Sequence, residues 1–356
     1  MVTAQLEYKP EELLADPPYA EPLRAGGVLC HGGYLADGTY LPPRTAGRVP
    51  AIRAWQEKHT EDFATPILDA PLASWPGNYP NLAQARLLLR HGIREPIIAQ
   101  LTRIGTVEGF GANIRHLAPD DMQRHFVDDI RGTATAHLGQ GLVEAHARDE
   151  AGWDDRAGHN TMWFAVRDIA FEHPRPGDMT ERLLERLGFG SPAATDEERV
   201  ARFDASRSFP DLDTGLEMLL TTMTRVLFIE IKAFHVFAWA ESLLSDRDLV
   251  AGEGEAARLV ACIRADETPH VEYLRTALTE MRDRTFVTVD GGRRSGREVI
   301  GTLWDRLLAE SMGTVEEANR GSFRKELGRA LEGRRGATDL LEEFDAIGDW
   351  KPSEAA

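Results

Sequence analysis

The chain has 356 residues, 42% of them apolar and 28% charged, with a formal net charge of −17 and a sequence pI of about 5.1. This acidic balance argues against nucleic acid or an anionic membrane as the main partner, because both repel a negatively charged protein. Cys30 and Cys262 are far apart in the sequence and form neither a disulfide framework nor a zinc pattern, which fits a reducing compartment.

The first 80 residues are rich in proline and glycine and show little helical period. We interpret residues 1–80 as an irregular arm that wraps over a helical core. Within it, residues 34–41 resemble a β-hairpin around an Asp37-Gly38 turn. Residues 1–10 contain no basic segment followed by an apolar one, so no signal peptide is visible and a cytoplasmic location is expected.

A helical pattern begins at residue 81. It predicts helices over 81–117, with interruptions at Gly92 and Pro96, then over 119–150 and 159–172. The charged segment that follows, 178–210, predicts a crossover with short helices at 180–187 and 197–203. After a central helical hairpin, the remaining pattern predicts a strand at 285–289, a turn at 290–292, helices at 297–311, 315–331 and 339–346, and a disordered tail from 351.

These elements divide the chain into three regions. Residues 1–80 form the arm, and residues 81–283 form a helical core that carries the candidate site. Residues 284–350 form a C-terminal hairpin and helices packed on that core. The sequence therefore predicts a mainly α protein.

The central helical hairpin, 213–282, carries a carboxylate in an apolar run. Residues 218–240 are interrupted only by Arg225, Glu230 and Lys232 among the charged types, which favours a buried core helix over a membrane span. Burying an unpaired carboxylate costs several kcal/mol. Glu230 must therefore be paired with a base, exposed through a kink, or bound to a metal. Lys232 does not neutralise it on the same helix, because residues two apart on a helix face different directions.

The second helix of the hairpin carries residues that could share a metal ion with Glu230. Glu267 and His270 are three residues apart and share a helical face. Glu230 and Glu267 lie at equal distances from the turn, so an antiparallel hairpin brings them to one level. Glu241 is a rival on the Glu230 face, but it would lie roughly 15 Å from that level. Two carboxylates and an imidazole at one height suit half of a carboxylate-bridged metal site.

The other half is predicted less directly. Glu144 and His159 flank the break between the second and third predicted helices at mirrored distances, and we take both as candidate ligands. His146 leaves its helix about 200° from Glu144, so the two cannot bind one centre together. The rivals left open for this half are Asp155, His137, His146, Glu108, His91 and Glu95.

Asp266 precedes the Glu267-x-x-His270 motif. It lies four residues before His270 and is a candidate to orient that imidazole from outside the metal site. Pro269 should kink the helix at the motif. Alternatively, Thr268 caps a new helix that starts at Pro269, which weakens the argument from equal level.

The motif Asp266-Glu267-x-x-His270, with Glu230 earlier on the preceding helix, resembles the second half of ferritin-like di-iron carboxylate proteins. The resemblance covers residues 213–282 well and 120–173 poorly. It implies a ferritin-like four-helix bundle core with extra helices and an irregular N-terminal arm. It also implies two non-haem irons, or iron with manganese. Glu230 then matches the single carboxylate of the third core helix, and Glu267 with His270 matches the pair on the fourth.

The ligand types favour the same chemistry. Carboxylates with one or two imidazoles suit iron or manganese with open positions, and ferrous iron can reduce dioxygen there. A dry pocket is favoured by Phe228, Phe234, Phe237 and Trp239. We therefore expect an oxygenase or oxidase that acts on a small, partly apolar molecule. Its electrons would come from a ferredoxin or flavin reductase, and a homodimer is compatible with the sequence.

Two other classes stay open. A metal-free helical binding or scaffold protein would pair Glu230 with an arginine such as Arg225 or Arg264. An iron-oxidising or peroxide-scavenging protein would use the same metal ligands without an organic substrate.

Overall fold

The computed structural model describes residues 5–119, 121–174 and 203–348. The predicted helix at 180–187, nearly all of that at 197–203 and the tail from 351 lie outside the described residues. The described chain is mainly helical, as predicted. Its helices are α1 (Pro10–Leu13), α2 (Arg48–Phe63), α3 (Leu82–Arg90), α4 (Glu95–Gly111), α5 (Val143–Ala151), α6 (His159–Phe171), α7 (Thr214–Leu244), α8 (Glu255–Asp266), α9 (Thr268–Arg282), α10 (Gly296–Glu310), α11 (Glu316–Leu331) and α12 (Ala337–Ala346).

The N-terminal region is more regular than predicted. Strands β1 (Glu21–Ala25), β2 (Val28–Tyr34) and β3 (Tyr40–Leu41) form an antiparallel sheet in the order β1-β2-β3. The β2–β3 pair confirms the predicted hairpin, since Tyr34 pairs with Tyr40 across it. Helix α2 was missed because its buried stripe, at residues 48, 51, 52, 55 and 59, begins and ends on a polar side chain. The buried positions of α2 have helical spacing, but they are not all apolar, so the sequence shows no apolar stripe along the whole helix.

The predicted helix over 119–150 is wrong. Only α5 is α-helical within that range, and it follows short 3-10 turns and a π turn at Leu138–Leu142. Gly132 and Gly141 have φ values of 68° and 134°, which a continuing right-handed helix excludes. The backbone there finds another acceptor. The N–H groups of Ala134 and Thr135 donate to the Glu280 carboxylate at 3.0 and 2.8 Å.

The central hairpin is confirmed. Helix α7 runs antiparallel to α8 and α9 after a turn at 245–254, and Glu267 interrupts the second helix just before Pro269. Pro269 cannot donate a backbone hydrogen bond, so the chain leaves α8 and starts α9 there. Among the described residues, no helix has the length and apolar character needed to cross a membrane.

The helices around the hairpin enclose a polar interior. Helix α6 packs against α4 and α8, α4 packs against α5, and α7 packs against both α8 and α9. Two apolar clusters fill the surrounding space, one containing Phe228 and Tyr273 and the other Trp163 and Phe237. Helices α5, α6, α7 and the α8–α9 junction contribute to the border between them. Along α7, the buried side chains change from the first cluster to the second between Ile231 and Ala233, next to Glu230.

The C-terminal region agrees with the predicted pattern. Strands β4 (Thr285–Val287) and β5 (Arg293–Ser295) form an antiparallel pair, and α10 to α12 follow within a few residues of the predicted bounds. The predicted division into three regions stays a prediction.

Glu280 offers a test of buried-charge energetics away from the candidate site. Burial raises the pKa of Glu280 to about 7, from 4.5 for an exposed side chain. The folded protein therefore binds this proton more tightly than the unfolded chain, so the Glu280 contribution to stability falls as pH rises from about 4.5 to about 7. Relative to Glu280→Gln, the wild type should lose about 3 kcal/mol of unfolding free energy across that range.

The measurement is urea unfolding at pH 5 and pH 7.5 in the presence of a chelator. The control is Glu61→Gln, which changes an exposed side chain on α2. An equal difference between wild type and Glu280→Gln at both pH values would contradict the assignment.

Candidate metal centre

Seven glutamate and histidine side chains, residue types that can bind metals, converge between the central helices. They come from α4 (Glu108), α5 (His146 and Glu150), α6 (His159), α7 (Glu230) and the α8–α9 junction (Glu267 and His270). His146, His159, Glu267 and His270 are fully buried, and Glu150 is 1% exposed. The interior therefore holds a concentration of acids and imidazoles that water does not screen.

Local structure sets the α5–α6 part of the cluster. His146 and Glu150 are four residues apart on α5 and share a face. A tight connection then places His159 at the first position of α6. Its Nδ1 atom lies 3.2 Å from a Glu150 oxygen. Gly152 has φ 86° in this connection, so the return is short enough for Glu150 and His159 to meet.

Helix α4 covers the same face. A Glu108 oxygen lies 3.9 Å from His159 Nδ1. At the end of the helix, a Cβ on Gly111 would lie 2.9 Å from Cγ of Glu150. Glycine therefore allows the α4 backbone to approach the centre closely.

In the central hairpin, Glu230 lies level with Glu267 and His270, as predicted. Glu230 is 5% exposed, and one of its oxygens lies 4.0 Å from His270 Nδ1. Glu267 contacts His270 Nδ1 at 2.7 Å and His159 Nδ1 at 3.0 Å. The structure therefore brings Glu230, Glu267, His270 and His159 together from α6, α7 and the α8–α9 junction.

The arginine partners considered for Glu230 lie elsewhere. Arg225 contacts Glu310 at 3.5 Å, and Arg264 contacts Glu241 at 2.8 Å. Pairing of Glu230 with either arginine is therefore wrong. The groups that face Glu230 are instead other members of the cluster. His146 Nε2 lies 3.6 Å from one of its oxygens.

Two overlapping groups in this cluster could hold a metal ion. The first consists of His146, Glu150, Glu230 and His270, and the second of Glu150, His159, Glu267 and His270. In each group the ligand atoms all lie within 4.8 Å of one another. Glu150 and His270 belong to both groups, so the two positions are adjacent.

Each imidazole is held from outside by a second group. His270 Nε2 lies 2.9 Å from Asp149, and His159 Nε2 lies 3.4 Å from Asp266. His146 Nδ1 lies 3.3 Å from the Tyr273 hydroxyl. The opposite nitrogen of each ring faces the carboxylates of the cluster. An outer partner on the far nitrogen is the usual arrangement around metal-bound histidines, because it sets the tautomer and ring orientation.

Asp266 does not orient His270 as predicted. It contacts His159, and Asp149 takes the predicted role beside His270. The prediction assumed a continuous helix in which residues four apart share a face. The interruption at Glu267 and Pro269 turns the two side chains to different neighbours.

Glu144 is not brought into the cluster. Its carboxylate contacts Arg148 at 2.7 Å and Arg115 at 3.2 Å, and its side chain is 31% exposed. Glu144 and His146 leave α5 on different faces, so only one of them can reach the cluster, as predicted. That residue is His146, and the prediction of Glu144 is wrong. Glu150 was not singled out by the sequence. Its spacing of four from His146 was the signal available.

Some of the alternative candidate ligands lie in the cluster and the others do not. Glu108 and His146 join the cluster. Asp155, His91 and Glu95 are exposed. His137 is buried, but its Nδ1 atom lies 2.7 Å from the backbone oxygen of Thr133 and it contacts the N-terminal segment.

The cluster shifts the pKa values of its members strongly. Burial and the neighbouring Glu267 and Glu150 carboxylates raise the pKa of Glu230 well above its ordinary value. Burial and the same two carboxylates also raise the pKa of Glu108 well above its ordinary value. Burial alone would lower the pKa of His270, but Glu267 and Asp149 raise it to about 9. The metal-free cluster thus retains protons that a cation would displace.

The charge balance leaves room for cations. The centre contains six acids, namely the four glutamates and the outer Asp149 and Asp266, and two buried guanidinium groups, Arg44 and Arg48, which both contact Asp149. With every acid ionised and every histidine neutral, four negative charges remain, and two divalent ions would cancel them. Within the described residues, Glu150 Oε2 and His146 Nε2 also have no hydrogen-bond partner despite their burial. These unpaired donor atoms fit metal ligands.

Comparison with known proteins adds no relative. No family model, no curated protein and no solved structure matches the chain.

Metal binding should release protons and strengthen with pH. His270 has a pKa of about 9 in the metal-free protein, so at lower pH a metal must displace its proton. Affinity should rise between pH 6 and pH 8 by up to about tenfold per pH unit for each proton displaced. Calorimetric titration with Mn²⁺ in two buffers of different protonation enthalpy counts these protons. His137→Gln, which alters a buried histidine outside the cluster, should leave the pH dependence unchanged. Affinity that does not vary with pH would contradict the assignment.

Proposed function

We propose that the cluster binds two metal ions and that the protein is a metal-dependent oxidoreductase. The observation that carries this proposal is the convergence of four glutamates with three histidines that are each held from outside. Such a set costs free energy when buried alone, because like charges repel in a medium that screens them weakly. Two divalent cations would remove that cost, since they neutralise the excess charge and use the unpaired ligand atoms.

The ligand types favour iron, or iron with manganese. Glutamate oxygens outnumber imidazole nitrogens, and hard cations with open coordination positions prefer such a set. Zinc sites usually have four ligands, dominated by cysteine or histidine. We therefore propose two irons, or one iron with one manganese, held by Glu108, His146, Glu150, His159, Glu230, Glu267 and His270.

The helices that carry these ligands support a ferritin-like arrangement. Helix α7 supplies one glutamate, and the α8–α9 junction supplies the Glu-x-x-His pair, as in the second half of such bundles. The first half departs from that pattern. Helix α5 carries its histidine before its glutamate, and a further histidine starts α6. We propose a ferritin-like core in which the first ligand pair is redistributed over two short helices.

Dioxygen activation is the proposed chemistry. If these side chains held ferrous ions, the ions would supply electrons for the reduction of dioxygen. The protein side chains have separate tasks. Asp149, Asp266 and Tyr273 hold the imidazoles in orientation, and burial excludes bulk water from the reacting region.

The neighbouring apolar side chains favour an organic substrate. Trp163 lies one helical turn after His159, and its ring packs against Phe237 with centroids 5.0 Å apart. Phe228 and Trp239 on α7 are also buried. We propose that a small, partly apolar molecule is oxidised beside this surface, as an oxygenase or oxidase substrate. Electrons for further turnovers would come from a ferredoxin or flavin reductase.

The test compares metal content and oxygen consumption in variants. The wild type, loaded anaerobically with ferrous iron, should hold two irons per chain and consume dioxygen. Glu267→Ala and Glu230→Gln should lose iron while far-ultraviolet circular dichroism shows a retained fold. Glu144→Ala is the matched control, because that carboxylate lies on α5 outside the cluster. It should keep iron and oxygen consumption.

The outcomes separate the function classes. Wild-type protein that binds no iron or manganese would overturn the proposal and favour a metal-free scaffold. Iron bound equally by Glu267→Ala would remove the proposed ligand set. Rapid ferrous oxidation that no apolar organic compound alters would indicate an iron-oxidising protein instead of an oxygenase.

A further inference from the structure

The N-terminal segment 31–48 reaches both carboxylates that hold the cluster histidines. It contains β2 residues, β3 and the start of α2, and it lies far from the metal ligands in sequence. Four of its side chains contact Asp149 or Asp266 (His31, Tyr40, Arg44 and Arg48). We call this segment the strap.

At one end the strap holds Asp266. The Tyr40 hydroxyl donates to the Asp266 carboxylate, with distances of 2.9 and 3.1 Å to its two oxygens. His31 Nε2 lies 3.3 Å from the same carboxylate. Gly32 makes this possible. It has φ 73°, and a Cβ at this position would collide with the Tyr40 phenol.

At the other end the strap holds Asp149. Arg44 Nε donates to one Asp149 oxygen at 2.6 Å, and Arg48 contacts the other at 2.8 Å. Arg44 has φ 51°, in the left-handed region that is unfavourable for a non-glycine residue. Arg48 is fully buried. The two guanidinium groups thus approach both oxygens of the Asp149 carboxylate.

The two ends are connected to each other. Arg44 Nη2 lies 3.3 Å from His31 Nδ1, so the Asp266 contacts and the Asp149 contacts belong to one network. Asp266 contacts His159, and Asp149 contacts His270. Undocking the strap would leave two buried carboxylates with fewer donors and would release both imidazoles from their fixed orientation.

We propose that Tyr40, Arg44 and Arg48 are positioning residues of the metal centre, so that docking of the strap and metal binding stabilise each other. This inference rests on the proposed metal centre. Because such coupling is reciprocal, a strap variant weakens metal binding and bound metal holds the strap in place.

Metal titration of strap variants tests the first half. Tyr40→Phe removes only the hydroxyl that donates to Asp266. Tyr8→Phe is the matched control, since its hydroxyl donates to the Gln5 backbone oxygen, outside the strap and the cluster. Titration with Co²⁺ should show affinity lowered about 10- to 100-fold in Tyr40→Phe, with an altered visible spectrum, and unchanged affinity in Tyr8→Phe. Arg48→Met should weaken binding in the same direction.

Hydrogen exchange of the wild type tests the second half without any variant that might misfold. Mn²⁺ should slow amide exchange in peptides covering residues 28–48, and the same addition to Glu267→Ala should not. Wild-type affinity in Tyr40→Phe, or exchange in the strap that metal does not change, would overturn this inference while the metal centre stands. A wild type that binds neither ion would overturn both.

Discussion

Mutual repulsion among buried carboxylates is the constraint on which this structure depends. Glu108, Glu150, Glu230 and Glu267 meet on the border between two apolar clusters, where water contributes little screening. Each carboxylate raises the cost of ionising the others. The surrounding helices must therefore deliver compensating charge to the same place. Histidines supply part of it, and the proposed cations would supply the rest.

The groups that compensate the glutamate charges lie at increasing distance from the centre: first the imidazoles, then their outer partners, then the strap. The three imidazoles turn one nitrogen toward the glutamates and give the other to Asp149, Asp266 or Tyr273. The outer carboxylates are in turn held by the strap, whose arginines and tyrosine come from the N-terminal region. The N-terminal region, which the sequence predicts to be an irregular arm on the outside of the core, thus reaches the polar centre of the protein. Its position explains why Arg48 is tolerated without solvent contact.

The local sequence pattern was sufficient to predict which residues come together within the central helical hairpin. Glu230 stood out as an acid within an apolar run, and equal distance from one short turn brought it level with Glu267 and His270. Pattern failed where glycines and side-chain acceptors replaced helical hydrogen bonds. The 119–150 helix was predicted from helix-forming residues, but Glu280 accepts the backbone N–H groups of Ala134 and Thr135 from a distant helix. Glu144 does lie on a helix as predicted, but α5 is rotated so that His146 faces the cluster while Glu144 contacts Arg115 and Arg148.

The sequence by itself determined the mainly helical class, the central hairpin and the three candidate ligands it carries, because helical period and turn symmetry act over neighbouring residues. Only the tertiary structure decided that Glu108, His146 and Glu150 complete the cluster and that Asp149 holds His270. These choices depend on how helices rotate about their axes and on which distant segment packs beside them. A one-residue rotation moves a side chain by about 100°, and spacing along the chain does not specify that rotation across a loop.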